Sequence, residues 1–317
     1  MTHKERFIKA LRREPLTGLV PHFELVFYLT MEAFQKVHPI HRRFDQWNQM
    51  SKDEQELQLY DMASVYIETA RRYNHSAIFV HSDFGNYNFT ASLLQKIRDI
   101  SGDEYFIMLH GDPSFPIPDG NRMMEFSRQL FEEKEILHDK AKRDVENYRK
   151  SADRYKGSGL IDGFALCSDY CFNTNPFFSP ELFDEFIMPY LSSIIKIYRE
   201  MGYYSIKPND GKIMPILSRL ADCKPDALHS LDPQGGVSLK EVKSLYGDKL
   251  CLIGNVNCAL LQTGTEEECI NDIKRSLSQG MKGYGYIFST SNCIYTGMAL
   301  KRYELMLDIW RKFGVYK

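Results

Sequence analysis

The chain has 317 residues, of which 43% are hydrophobic and 26% are charged, and this composition excludes collagen-like and wholly disordered architectures. Its 40 Lys and Arg residues nearly balance its 42 Asp and Glu residues, and the formal net charge of -2 offers no general basic surface for nucleic acid or an anionic membrane. We therefore expect neither a nucleic acid nor a membrane as a partner.

The start of the sequence and its cysteines bear on the compartment. The first residues form no apolar leader, and no stretch approaches the roughly 18 apolar residues that are needed to cross a bilayer. The seven cysteines are scattered without a C-x-x-C pair, which indicates neither a disulfide framework nor a zinc ribbon. These features predict a cytoplasmic protein.

The first half of the chain is predicted to mix helices with a few strands. Thr2 and Glu5 form a capping box that begins a helix over residues 3–13, and Ser51 and Glu54 begin a longer helix that ends near residue 74. Residues 121–156 are rich in charge with apolar residues interspersed, which predicts one or two solvated helices. Strands are expected at residues 19–27, 77–81 and 105–110.

The second half alternates short apolar runs with capped helices. A helix that begins after Ser179 ends at Gly202, and Ser238 and Thr265 cap two further helices. The strands are expected at residues 164–167, 203–207, 227–231, 250–255 and 284–289. Such alternation predicts a parallel sheet, and the count of eight strands favours a single (β/α)8 TIM barrel over residues 1–317.

In this scheme residues 1–75 supply additional N-terminal helices and the first strand. An open, doubly wound sheet is the alternative architecture. However, no G-x-G-x-x-G follows the first strand, and no G-x-x-x-x-G-K-[ST] occurs anywhere. Binding of a nucleotide phosphate by such loops is therefore not supported.

Polar residues follow nearly every predicted strand, where a parallel barrel builds its active site. Each of them alone is most simply a loop cap, but carboxylates on neighbouring strands repel one another unless they bind a cation or a proton. We predict a pocket lined by His81, Asp169, Asp210, Asn255 and Asn292. The other candidates are Glu24, Asp83, His110, Asp112, Tyr170, Asn209, His229, Asp232, Asn257, Ser289 and Ser291.

The motifs taken together resemble the uroporphyrinogen decarboxylase superfamily, and more closely its branch of corrinoid-dependent methyltransferases. The match runs nearly end to end and implies a (β/α)8 barrel. It is carried in order by Arg6-Phe7-x-x-Ala10-Leu11, Val20-Pro21, Ser168-Asp169-Tyr170, Pro176-Phe177-Phe178-Ser179-Pro180, Asn209-Asp210-Gly211, Leu252-Ile253-Gly254-Asn255-Val256-Asn257, Leu260-Leu261-x-Thr263-Gly264-Thr265 and Tyr286-Ile287-x-Ser289-x-x-Asn292.

Two departures from the family pattern bear on the activity. Uroporphyrinogen decarboxylases carry arginines soon after the first helix, whereas this chain has Glu24 there, which disfavours a polycarboxylate porphyrinogen. The thiol methyltransferases of the family hold zinc with a His-x-Cys pair and a distant Cys. This chain has Pro208, Asp210 and Asn292 at those positions, so zinc remains possible only without its usual ligands.

The resemblance implies a methyltransferase that moves a methyl group from a small ether or similar donor to a corrinoid carried by a partner protein. The expected catalytic residues are Asp169, Asp210 and His81, which are also the candidate metal ligands. The expected substrate-binding residues are Glu24, Tyr170, Asn255, Asn257 and Asn292. Tyr170, Phe172, Phe177 and Phe178 either hold an apolar donor or pack a long loop. The alternative activity is decarboxylation of a different carboxylated substrate.

Overall fold

A computed structural model of the chain describes residues 1–42, 46–81 and 87–317. Asp83, one of the predicted strand-end residues, lies outside the described residues. Among these residues, strands β1 to β9 comprise Gly18–Leu19, Ala77–Val80, Phe106–His110, Gly163–Ala165, Tyr204–Asn209, Ala227–Ser230, Cys251–Ile253, Tyr286–Ile287 and Val315–Tyr316.

The helices lie between and around these strands. None of those in the described part of the chain combines the length and the apolar character that crossing a membrane requires. Helices α1 to α13 comprise His3–Leu11, Thr30–Phe34, Lys52–Tyr73, Tyr87–Ser101, Met123–Glu132, Lys134–Asp153, Pro180–Phe186, Met188–Glu200, Leu217–Asp222, Leu239–Tyr246, Cys258–Thr263, Glu266–Gly280 and Leu300–Phe313.

The predicted parallel sheet is confirmed for seven strands. β2 to β8 form one curled parallel sheet in chain order, and every neighbouring pair is parallel. Because all strands of such a sheet run in one direction, the residues that follow them lie together at the carboxyl end of the sheet. The candidate residues after β2, β4, β5 and β8 are therefore brought to the same end of the sheet.

The first predicted strand, over residues 19–27, is not found as a regular strand. Only β1 forms there, and it pairs antiparallel with β9, a strand that the sequence did not predict. Pro21 has no backbone N–H for a ladder, and beyond it His22 makes isolated parallel bridges to His75, before β2, and to Phe288, after β8. This segment thus contacts both edges of the seven-stranded sheet.

The helix caps are as predicted, while two helix boundaries differ. Thr2 and Thr265 form complete capping boxes. α1 ends at Leu11 rather than at residue 13 because Arg13 adopts a positive φ of 59°. The helix expected over residues 180–202 is divided into α7 and α8 at Ile187, close to Pro189, whose ring cannot continue the preceding helical hydrogen bonds.

Two buried clusters hold the fold together. The larger one lies between the strands and the surrounding helices. The smaller one fills the inside of the sheet and includes Phe7 of α1, whose ring lies 4.8 Å from that of Phe106 and 5.7 Å from that of Phe23. The backbone N–H of Lys4 also donates to the carbonyl of Glu104, just before β3, at 2.8 Å. α1 therefore covers the amino end of the sheet and leaves the carboxyl end for a site.

Candidate active site

A cavity of about 430 Å³ opens at the carboxyl ends of the strands. Four predicted residues, His81, Asp169, Asp210 and Asn292, line it together. They follow β2, β4, β5 and β8, so the direction of the strands explains their convergence. The other lining residues are Leu25, Val26, Tyr28, Phe79, His110, Cys167, Pro208, His229, Ser230 and Cys293.

Asp169 and Asp210 are in direct contact. The backbone N–H of Asp210 donates to Oδ1 of Asp169 at 3.1 Å. Burial, the negative charge of Asp169 and a further contribution from Asp232 raise the pKa of Asp210 to about 7. The next residue, Gly211, has a φ of +76°, a conformation that glycine adopts without strain. The turn therefore presents Asp210 to the cavity as a carboxyl group whose pKa lies near neutrality.

Asn292 is fixed by hydrogen bonds within the protein. Its Nδ2 donates to Oδ2 of Asp210. Its Oδ1 accepts from the backbone N–H of Cys293 at 2.7 Å. Because a carbonyl oxygen must face the N–H of Cys293, the two contacts assign the amide orientation.

The histidines of the cavity lie in different surroundings. Burial lowers the pKa of His229 to about 3, so its ring is neutral at physiological pH. Its Nδ1 lies 3.4 Å from the hydroxyl of Ser230, and its Nε2 lies at the same distance from that of Ser289. Nδ1 of His81 lies 3.3 Å from the hydroxyl of Tyr66, and its ring meets that of His38 at 5.2 Å. His81 is thus held by groups from the N-terminal segment and α3.

A buried ion pair that the sequence analysis missed lies beneath the cavity. Lys207 Nζ lies 3.1 Å from Oδ2 of Asp112 and also donates to the carbonyls of Leu166, at 2.7 Å, and Ser168. Burial alone would raise the pKa of Asp112, but Lys207 and hydrogen bonds from Ser114 hold it below its usual value. The lysine within the apolar run of β5 was a signal for such a pair.

Four predicted substrate-binding residues do not line the cavity. Glu24 is sealed in the interior, where burial raises its pKa to about 8 although Thr290 and Ser289 donate to it. Asn257 caps α11 by accepting from the N–H of Ala259 at 2.9 Å. The other two residues are Tyr170 and Asn255.

Tyr170 and Asn255 are both fully buried and hydrogen-bonded. The hydroxyl of Tyr170 contacts that of Ser114, and its ring lies 4.2 Å from Lys207 Nζ. Asn255 donates to the carbonyl of Leu231 at 2.8 Å and accepts from Arg275 at 3.1 Å. Their polar atoms are thus engaged with the protein rather than directed into the cavity.

The aromatic residues that follow β4 pack mostly against one another. The rings of Phe177 and Phe178 meet at 4.9 Å, and those of Phe172 and Phe177 meet at 6.3 Å. None of these three residues, nor Tyr170, lines the cavity. The packing interpretation therefore describes them better, while Tyr28 and Phe79 supply the aromatic surface of the cavity.

The fit of the cavity to a metal ion depends on its donor set. At the positions where zinc-binding relatives carry His-x-Cys and Cys, this chain presents Pro208, Asp210 and Asn292. Proline provides no side-chain ligand, and the amide of Asn292 is engaged with Asp210 and Cys293. Within residues 1–42, 46–81 and 87–317, no group of three or more His, Cys, Asp or Glu side chains is placed to hold an ion. These side chains therefore do not fit a zinc ion bound as in those relatives.

The comparisons with known proteins agree with the family resemblance. Residues 166–313 match the family model described as uroporphyrinogen decarboxylase (URO-D). No curated protein matches the chain.

Among solved structures, a methyltransferase from Methanosarcina mazei is similar to this chain with a TM-score of 0.71 and 15% sequence identity, and the match covers 99% of each chain. A GH5_18 protein from Bifidobacterium longum subsp. infantis gives a TM-score of 0.49 and 8% identity, with 94% of this chain and 80% of the other covered. The similarity to the methyltransferase extends over the whole fold.

Proposed function

Residues 166–313 match the uroporphyrinogen decarboxylase family model, and from this premise we propose that the chain is a methyltransferase of that superfamily. It moves a methyl group from a small ether or similar donor to a corrinoid carried by a partner protein, in the cytoplasm. The similarity in fold to the Methanosarcina mazei methyltransferase supports the class of reaction. The donor and the corrinoid partner are what the family resemblance implies.

We infer that the sheet belongs to a (β/α)8 barrel formed by the whole chain as a single domain, in which the segment around His22 takes the eighth position. Its parallel bridges to His75 and Phe288 support this inference. Further hydrogen bonds join Pro21 to Phe288 at 2.9 Å and Ser76 to His22 at 2.7 Å. Residues 1–75 then supply the additional helices α1 to α3 as well as this closing segment.

The observation that carries the proposal is the carboxyl group of Asp210, which lines the cavity beside Asp169 and has a pKa near neutrality. An ether is a poor methyl donor because an alkoxide or phenoxide leaves with difficulty, so transfer requires a group that protonates the departing oxygen. Asp210 meets this need, since burial and Asp169 raise its pKa to about 7. A general acid works best when its pKa lies near the working pH.

The proposed reaction balances without a further reactant. The C–O bond of the donor breaks with its electron pair on oxygen, which takes the proton of Asp210. The methyl carbon forms its new bond with the electron pair of Co(I) in the corrinoid acceptor, and the cobalt becomes Co(III). The products are an alcohol or phenol, the methylated corrinoid and the Asp210 carboxylate, which regains a proton from solvent.

The charges of the cavity favour this reaction over the alternative decarboxylation. Two acidic residues, Asp169 and Asp210, line the cavity, and its described lining includes no Lys or Arg. Lys207 lies nearby, but its three N–H groups serve Asp112 and two carbonyls. A carboxylated substrate would meet the negative charge of Asp169 without a compensating cation. A neutral donor avoids this repulsion and can lie against Tyr28, Phe79 and Val26.

The test mixes the protein with a Co(I) corrinoid carrier and a panel of methyl ethers, and follows the absorbance of methyl-cobalt. We expect Asp210→Asn to reduce the rate by about 10²–10⁴-fold because it removes the proton donor. Asp184→Asn is a matched control, since this carboxylate pairs with Arg219 on the surface at 2.6 Å.

Two results would contradict the proposal. One is a folded Asp210→Asn variant that demethylates as fast as the parent. The other is a panel in which no ether reacts while a small carboxylic acid releases carbon dioxide, which would establish the decarboxylase instead.

A further inference from the structure

Both ends of the Asn292 side chain are occupied by protein atoms. Oδ1 accepts from the N–H of Cys293 at 2.7 Å, and Nδ2 donates to Oδ2 of Asp210. A methyl donor could contact Asn292 only through the second lone pair of Oδ1 or the second N–H of Nδ2. The geometry fits a role toward Asp210 better than the predicted role in binding substrate.

The contact from Asn292 makes the two oxygens of Asp210 unequal. Oδ2 receives an N–H, and an oxygen that accepts from an amide is the poorer place for a proton that must be given away. On this argument Oδ1 carries that proton, and Ser230 is a second hydrogen-bond donor to the carboxyl group. The backbone N–H of Asp210 is itself held by Asp169 at 3.1 Å, so the main chain that carries this side chain is also anchored.

The segment that carries Asn292 is anchored in the protein interior. The hydroxyl of Thr290 lies 2.6 Å from Oε2 of Glu24 and 3.2 Å from the carbonyl oxygen of Asn292. The N–H of Thr290 also faces the Glu24 carboxyl at 3.3 Å. Glu24 and Thr290 are buried, so this anchor is shielded from solvent. Asn292 thus stands on a rigid support, as a residue that orients another must.

We propose that Asn292 is a positioning residue that directs the proton of Asp210 onto Oδ1 and toward the methyl donor. This inference rests on the proposed function, in which Asp210 is the acid. In this proposal Asn292 contacts the catalytic group, Asp210, rather than the substrate.

Several other groups around Asp210 also act on its pKa. Asp169 and Asp232 face it from the segments after β4 and β6, and Lys207 acts on it from β5. The hydroxyl of Ser230 donates to it and also lies 3.4 Å from Nδ1 of neutral His229. An N–H that donates to a carboxylate stabilises its charged form, so the loss of Asn292 should raise the pKa of Asp210.

The experiment compares Asn292→Ala and Asn292→Ser with the parent and with Gln262→Ala. Gln262 is an exposed amide that accepts from Tyr295 at 2.7 Å outside the cavity. For each folded variant, kcat and KM for the reactive methyl ether are measured across pH, and the Asp210 carboxyl is titrated by ¹³C NMR without donor or corrinoid. Asn292→Ser provides a second test if the alanine variant fails to fold.

We expect both Asn292 variants to lose about 10–100-fold in kcat with little change in KM, since the acid is misdirected while donor binding is intact. The fall of kcat on the alkaline side and the NMR titration of Asp210 should both move upward by roughly 0.5–1 pH unit. Gln262→Ala should match the parent in all three measurements.

A rise in KM with unchanged kcat and an unmoved titration would overturn the proposal and restore Asn292 to substrate binding. If no ether reacts with the parent, the proposed function fails, but the NMR titration still decides whether Asn292 controls the proton of Asp210. An Asp210 titration that is the same in parent and variants refutes that control whatever the reaction.

Discussion

The backbone N–H of Asp210 donates to the carboxylate of Asp169 at 3.1 Å, so the main chain itself brings two acidic side chains to one wall of the cavity. Such a pair shares its protons unequally, because the charge of one carboxylate disfavours ionisation of the other. In this protein burial and the charge of Asp169 together raise the pKa of Asp210. The reactivity of Asp210 therefore depends on its neighbour.

Asp169→Asn tests this dependence. The amide oxygen can still accept from the N–H of Asp210, but the negative charge that raises the pKa of Asp210 is gone. We expect the pH at which kcat falls on the alkaline side to move downward by about one unit. The measurement is the pH profile of methyl transfer, with the surface variant Asp184→Asn as control. An unchanged profile would show that Asp169 does not tune the acid.

Glu24→Gln tests the buried anchor of the Asn292 segment through stability. Burial raises the pKa of Glu24 from 4.5 to about 8, so the folded protein retains a proton that the unfolded chain releases above pH 4.5. The stabilisation that the folded protein gains by keeping this proton is a contribution to the free energy of unfolding, and it is fully present below pH 4.5. It declines by up to about 1.4 kcal/mol per pH unit as the pH rises toward 8.

The glutamine cannot ionise, so the variant should gain stability relative to the parent between pH 5 and pH 8. Urea unfolding at several pH values measures the difference between the two proteins. Glu200→Gln serves as the matched control because this carboxylate is exposed beside Lys196. A difference that stays constant with pH would mean that Glu24 is already ionised in the folded protein.

Lys207→Met tests the ion pair beneath the cavity. It leaves the Asp112 carboxylate buried without its cation, and the loss of one partner of a buried pair typically costs about 3–5 kcal/mol. The double variant with Asp112→Asn should recover a large part of this loss, since no charge is then stranded. Urea unfolding of the two single variants and the double variant measures the coupling. Additive effects would indicate that the two groups do not stabilise each other.

The end of the sheet that carries the site could be predicted from the sequence, because apolar runs mark the strands and polar residues follow them. Asp169, Asp210 and Asn292 were located in this way. Asn255 follows β7 in the same pattern, yet its amide bonds to Leu231 and to Arg275 of α12. In a strand of three residues, a shift of one residue reverses the face of each side chain, and the apolar pattern does not fix it.

The ion pair of Lys207 with Asp112 and the irregular segment around His22 could not be predicted from the sequence for other reasons. Lys207 and Asp112 are 95 positions apart in the chain, and only the sheet brings them together. The segment around His22 pairs through isolated bridges rather than a regular ladder, so its apolar residues predicted a longer strand than the one that forms. Glu24 shows a third limit, since its position in the chain did not reveal that its carboxyl is sealed inside.

The packing of Phe7 from α1 against Phe106 and Phe23 has a kinetic consequence under the proposed function. With the amino end of the sheet blocked, the methyl donor and the bulky acceptor protein must use the same entrance. The donor then has to arrive before the acceptor docks, and the demethylated product can leave only after the acceptor departs. Turnover would follow an ordered sequence, and a large excess of acceptor would slow the reaction by covering the empty entrance.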